Sequence, residues 1–86
     1  MKFNSQSFLE KHRNYFWDFG DLKKISEEKV VERTLNFGSL KSIRELICIL
    51  GKERVARIFF TQISQKRDNY QVKIKNYFQI IFREYA

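Results

Sequence analysis

Apolar residues recur at helical spacing along most of the chain, and the repeats are punctuated. Residues 30–51, VVERTLNFGSLKSIRELICILG, hold two such patterns, each stopped by a glycine. Val30, Val31, Thr34, Leu35 and Phe37 form a stripe that ends at Gly38. Ile43, Leu46, Ile47 and Leu50 form a second that ends at Gly51. Glycine enters the left-handed conformation at little cost, so both glycines read as caps just past a helix end. The helices they separate must be joined by very short links.

The rest of the chain extends the pattern. Ser7 and Glu10 fit a capping box, and Phe8, Leu9, His12, Tyr15, Phe16 and Phe19 then share a face. This predicts a helix over about 8–17. Residues 18–25 read as a loop turning at Gly20-Asp21. Ser26 caps a second helix, with Glu27 and Glu28 in the first turn where the helix dipole favours acids. Ser39 caps a third, running to Leu50. A fourth spans about 52–63, with Val55, Ile58, Phe59 and Ile63 inward and Ala56 and Phe60 widening the stripe. Ser64 is positioned to cap a fifth helix, although the polar run 65–69 reads as loop. From Tyr70 the signal is strong: Tyr70, Ile74, Tyr77, Phe78, Ile81 and Tyr85 share one face and Lys73, Asn76, Gln79 and Arg83 lie opposite. No segment alternates with a period of two, so no sheet is expected. The predicted fold is all-α, a compact bundle of about five short helices forming a single domain over 1–86. Its expected core is Phe16, Val31, Leu35, Leu46, Leu50, Val55, Phe59, Ile74 and Ile81.

Length bounds what such a domain can do. A chain of 86 residues buries roughly 60–65% of its unfolded surface, enough for one modest core and no enclosed substrate cavity. Cys48 is the only cysteine, so an intrachain disulfide is impossible, which fits a reducing compartment. No apolar run approaches the ~18 residues of a membrane span, and no apolar segment follows Lys2 as in a signal peptide. The expected location is cytoplasmic, with no membrane partner.

The formal net charge of +7 is uneven. Lys52, Arg54, Arg57, Lys66 and Arg67 face only Glu53 within residues 52–67. A basic segment favours a polyanion or an acidic protein. Helices three and four flank Gly51 like a DNA-binding helix-turn-helix, with helix 52–63 as a basic recognition helix. That motif needs a turn of about 3–4 residues, and the link here is too tight. Phe59 and Phe60 also give helix four more apolar surface than an exposed recognition helix carries.

Residues arranged for chemistry are missing from the sequence. His12 and Cys48 are single copies of their kind, short of the four ligands of a structural zinc site. His12 has no nucleophile tied to it and reads as a packing residue. Cys48 lies on a flank of its helix with no base to activate it. Asp18-Phe19-Gly20 spells the metal-binding triplet of kinases, but the chain has no room for the other elements of that site. The three glycines are isolated, so no phosphate-binding loop is formed. The expectation is no catalytic site, no metal and no cofactor.

An ordered set of residues resembles a family of small bacterial domains of unassigned function. The set is Phe16-Trp17-Asp18, Val31-Glu32-Arg33, Leu35, Phe37-Gly38, Ile43, Leu46, Gly51-Lys52-Glu53-Arg54-Val55 and an Ile63-Ser64 step before an aromatic C-terminal segment. It covers roughly residues 15–82. The chain departs from the pattern where Lys66–Asn69 intervenes before a final helix that looks longer than expected. Genes of that family often lie beside abortive-infection nucleotidyltransferase toxins. The resemblance therefore implies an antitoxin or accessory partner in a toxin–antitoxin pair, with Glu32 and Arg33 either structural or in contact with the partner.

The residues themselves agree with a binding role. Fourteen aromatics, nine of them Phe, are many for this length. Trp17, Phe60, Ile80 and Phe82 flank their stripes rather than centre them and are the expected protein contacts. Lys52, Arg54, Arg57, Lys66 and Arg67 are the expected contacts to an acidic partner or nucleic acid. The expected function is a non-catalytic protein-binding module, the alternative a DNA-binding regulator. Self-association is compatible with either.

Overall fold

Five helices follow one another in the computed structural model, which describes residue 3, residues 5–65 and residues 68–83. They are α1 (Gln6–Lys11), α2 (Glu27–Phe37), α3 (Leu40–Leu50), α4 (Lys52–Ile63) and α5 (Val72–Phe82). Two 3₁₀ turns, Arg13–Phe16 and Leu22–Lys24, lie between α1 and α2. No strand occurs among the described residues. The fold is all-α, and its helices share one hydrophobic core.

Serine caps start the two middle helices as expected. Ser26 Oγ accepts the amide of Lys29 at 3.2 Å, and Ser39 Oγ accepts that of Ser42 at 3.2 Å. Each bond satisfies one of the amides that a helix N-terminus leaves open. The two glycine stops differ. Gly51 has φ +92°, a region L-residues avoid, and it alone links α3 to α4. Gly38 has φ −79°, ordinary extended backbone, so the left-handed cap expected there is corrected. Glycine is required at 38 for space. A Cβ would stand 2.5 Å from both the Thr34 carbonyl oxygen and Ser42 Oγ.

The N-terminal segment also differs from the expected helix over 8–17. Ser5, not Ser7, is the N-cap, and α1 stops at His12, whose φ of −114° and ψ of 33° leave the helical region. The chain then tightens into the 3₁₀ turn. This break points Tyr15 and Phe16 inward. Tyr15 donates its hydroxyl to Ser42 Oγ at 3.2 Å and so fixes the N-terminal segment on α3. Ser64 caps the C-terminus of α4 rather than opening α5: its hydroxyl donates to the Thr61 carbonyl at 2.8 Å.

Helix α4 is the hub, packed against α2, α3 and α5. Phe59, fully buried, meets Phe60, Tyr70, Phe78 and Phe82 edge-on with ring centroids 5.1–6.1 Å apart. Edge-to-face pairs of this kind add about 0.5–1.5 kcal/mol beyond the area they bury. Phe16, Val31, Leu35, Leu46 and Val55 are buried as expected, while Leu50 and Ile74 lie at the margin of the core. Ile81 is not a core residue. Helix α5 is rotated so that Phe78 and Phe82 point inward, and Tyr77, Ile80 and Ile81 are exposed.

Candidate functional site

The indole of Trp17, 68% exposed, stands at the corner between the first 3₁₀ turn and α2. Its ring meets Phe37 edge-on at 5.5 Å, and the Arg33 guanidinium lies 4.8 Å from its centroid. Arg33 also donates to the Tyr15 carbonyl at 3.2 Å and to Asp18 Oδ2 at 2.7 Å. The guanidinium beside Asp18 holds that carboxyl below the usual carboxylate range, and the carboxylate in turn raises Arg33. Arg33 is thus a structural tie that presents Trp17, while Phe37 and the exposed Leu40 extend the apolar surface.

The basic residues expected on α4 meet different fates. Arg54 donates from Nε to Glu27 Oε1 at 2.8 Å, with Nη2 2.7 Å from the same oxygen, and this pair clamps α4 to the start of α2. Lys52 and Arg57 are exposed on the solvent side of α4 together with Glu53 and Thr61. Only this strip of the helix faces outward, because Val55, Ala56 and Phe59 are buried against neighbours. Lys66 and Arg67 lie outside the described residues.

A groove of about 450 Å³ runs between α2 and α4 and is closed at one end by the segment leading to α5. Its floor includes Ile58 and Tyr70. Many of its polar groups are committed to one another. Gln62 donates to the Glu28 carbonyl at 2.7 Å and accepts from the Tyr70 hydroxyl. Glu32 accepts from Asn69 at 3.3 Å, and Asp68 accepts from Lys75 at 2.8 Å. Burial pushes the Tyr70 phenol well above its ordinary range, so it stays neutral and acts as a donor. These bonds hold the segment before α5 in place and leave the groove without an evident ligand chemistry.

His12 is wedged between Phe8 and Tyr15, with ring centroids at 4.7 and 5.2 Å, and its Nε2 lies 3.7 Å from Glu45 Oε1. Cys48 is exposed on α3. Among the described residues, no group of three or more His, Cys, Asp or Glu is placed to hold a metal ion. Also among the described residues, no helix is long and apolar enough to cross a membrane.

The four expected protein contacts separate into two kinds. Trp17 and Ile80 are open to solvent, at 68% and 65% exposure. Phe60 is half-buried against the core, and Phe82, 2% exposed, stacks on Phe78 inside it. The placement of Phe82 at a surface is therefore corrected. Tyr77 and Ile81 take its place beside Ile80, and sequence reasoning assigned both to the inner face. The signal available was that apolar residues nearly encircle α5, more than one neighbouring helix can cover. No family model, curated protein or solved structure matches this chain.

Proposed function

We propose that this protein is a binding module that works by docking another protein on the uncovered face of α5. The observation that carries the reading is that Tyr77, Ile80 and Ile81 form an exposed apolar strip on a helix whose principal partner is α4 alone. Covering a large apolar side chain contributes about 1.5–3 kcal/mol, so three adjacent ones supply the centre of an interface. Trp17 with Phe37 offers a second aromatic anchor.

The partner we propose is a nucleotidyltransferase-type toxin, which the protein would suppress as an antitoxin in the cytoplasm. This finer step rests on the sequence resemblance. Co-expression with the product of the adjacent gene tests it. The expected result is co-purification and relief of toxicity, with Ile80→Asp losing both while its melting temperature is unchanged. Neither co-purification nor relief would end the antitoxin reading. A DNA-binding regulator would have to use the narrow strip of Lys52, Glu53, Arg57 and Thr61. A sequence-selective footprint whose affinity falls steeply with salt would make that alternative the better one.

A further inference from the structure

We infer that the outer face of α5 receives an acidic amphipathic helix of the partner protein. The inference rests on the protein-binding reading above and specifies the chemistry of what docks. Helix α5, VKIKNYFQIIF, contains no aspartate or glutamate, and Arg83 follows it. Lys73, Tyr77 and Ile80 fall at i, i+4 and i+7, so they line up along one side of the helix. Lys73 and Arg83 are exposed, one near each end of the apolar strip. The third cation, Lys75, is drawn aside by Asp68 at 2.8 Å. The face is therefore an apolar centre with a positive charge at either end, about 15 Å apart at the rise of an α-helix.

A helix laid along this strip would meet it with apolar residues at its middle and carboxylates about ten residues apart. Such pairing steers encounter and excludes wrong partners. A second copy of the chain fits poorly, because the same face would oppose cation to cation on a protein of net charge +7. Anionic lipid surfaces are recognised by clusters of about 4–8 basic residues, more than the two exposed on this face.

Two synthetic helical peptides with the same apolar positions, one flanked by glutamates and one by lysines, test the inference against the isotopically labelled full chain. The glutamate peptide is expected to bind at least about tenfold more tightly (about 1.4 kcal/mol) and to shift the resonances of Tyr77, Ile80 and Ile81. The double variant Lys73→Glu, Arg83→Glu is expected to reverse the preference. Ile80→Asp is expected to abolish binding of the glutamate peptide. Melting temperatures of all variants confirm folding. Equal affinity for the two peptides, binding to neither, or no effect of charge reversal overturns the acidic specification. So does binding to phosphatidylglycerol vesicles in place of the glutamate peptide, which would make the face a membrane contact. The protein-binding reading fails separately, if Ile80→Asp still captures the product of the adjacent gene as wild type does.

Discussion

Arg33 on α2 holds Asp18 at 2.7 Å while its guanidinium lies beneath the indole of Trp17. The two contacts separate under mutation. Trp17 is the only tryptophan, so its emission reports on this corner alone. Arg33→Ala should shift that emission and lower the melting temperature, since the Tyr15 carbonyl also loses its donor. Asp18→Asn should leave the emission near wild type, because the cation stays against the ring. Fluorescence and thermal melts on the same samples distinguish the two.

Acid should destabilise the fold through three carboxylates. Asp18, Glu45 and Asp68 are each held below their ordinary range, by Arg33, Lys11 and Lys75 respectively. A carboxyl with a lowered folded value contributes stability above its unfolded value, about 3.9 for Asp and 4.3 for Glu, and loses it as pH falls through the folded value. Melts between pH 7 and 2 should show stability falling below about pH 4.5. Added salt should flatten the fall.

Alkali should act through one phenol. Tyr70 is raised by burial, so its contribution is complete below its unfolded value of about 10 and is lost as pH rises above it. Urea titrations at pH 9 to 11 should show stability dropping, and Tyr70→Phe should remove up to one proton from that slope.

The orientation of α5 is checked by neighbouring residues. Phe82→Ala should cost about 3–5 kcal/mol, as for a fully packed aromatic. Ile81→Ala should cost less than about 1 kcal/mol. Chemical denaturation measures both, and the reverse order would place Ile81 inside.

Gly38 and Gly51 should fail for different reasons. Gly51→Ala meets nothing within 4 Å, so its cost is the backbone itself, φ +92° with ψ 146°, a combination nearly reserved for glycine, about 1–3 kcal/mol. Gly38→Ala keeps an allowed backbone but drives its methyl against the Thr34 carbonyl and Ser42 Oγ. Overpacking of this kind costs about 1–3 kcal/mol. The double variant with Ser42→Ala should be less destabilised than the sum of the two singles, because one clash is relieved while the Thr34 carbonyl still clashes and the Tyr15 hydroxyl loses its acceptor. Denaturation of the single and double variants tests this.

The middle of the fold was legible because periodicity, serine caps and glycine stops agreed from Ser26 to Ile63. Helix α5 was legible as a helix but not in its rotation. Apolar residues cover most of its circumference, so Ile74, Phe78 and Phe82 compete on equal terms with Tyr77, Ile80 and Ile81. Only the aromatic cluster around Phe59, a tertiary feature, decides which set turns inward. The break at His12 was hidden for a similar reason, since a 3₁₀ turn and an α-helix place Tyr15 and Phe16 at nearly the same spacing. Arg33 joining Tyr15 and Asp18 across 18 and 15 positions leaves no local trace. Of the expected contact residues, Trp17 and Ile80 proved exposed because flanking positions reach solvent when a stripe is wider than its neighbour. Phe82 met the same criterion and is buried.

Asn36 ties the start of α5 to α2. Its side-chain amide donates to the Asn69 carbonyl at 3.2 Å, and its oxygen accepts the Gln71 amide at 3.2 Å. One residue of α2 therefore satisfies backbone groups more than thirty positions further along, just where α5 begins. Beyond this junction α5 leans chiefly on α4, whereas α4 is packed against α2, α3 and α5. The helix that carries the docking strip is therefore expected to open locally at lower cost than α2 or α4. Its amide protons should exchange fastest among the long helices, and occupation of the strip should slow them.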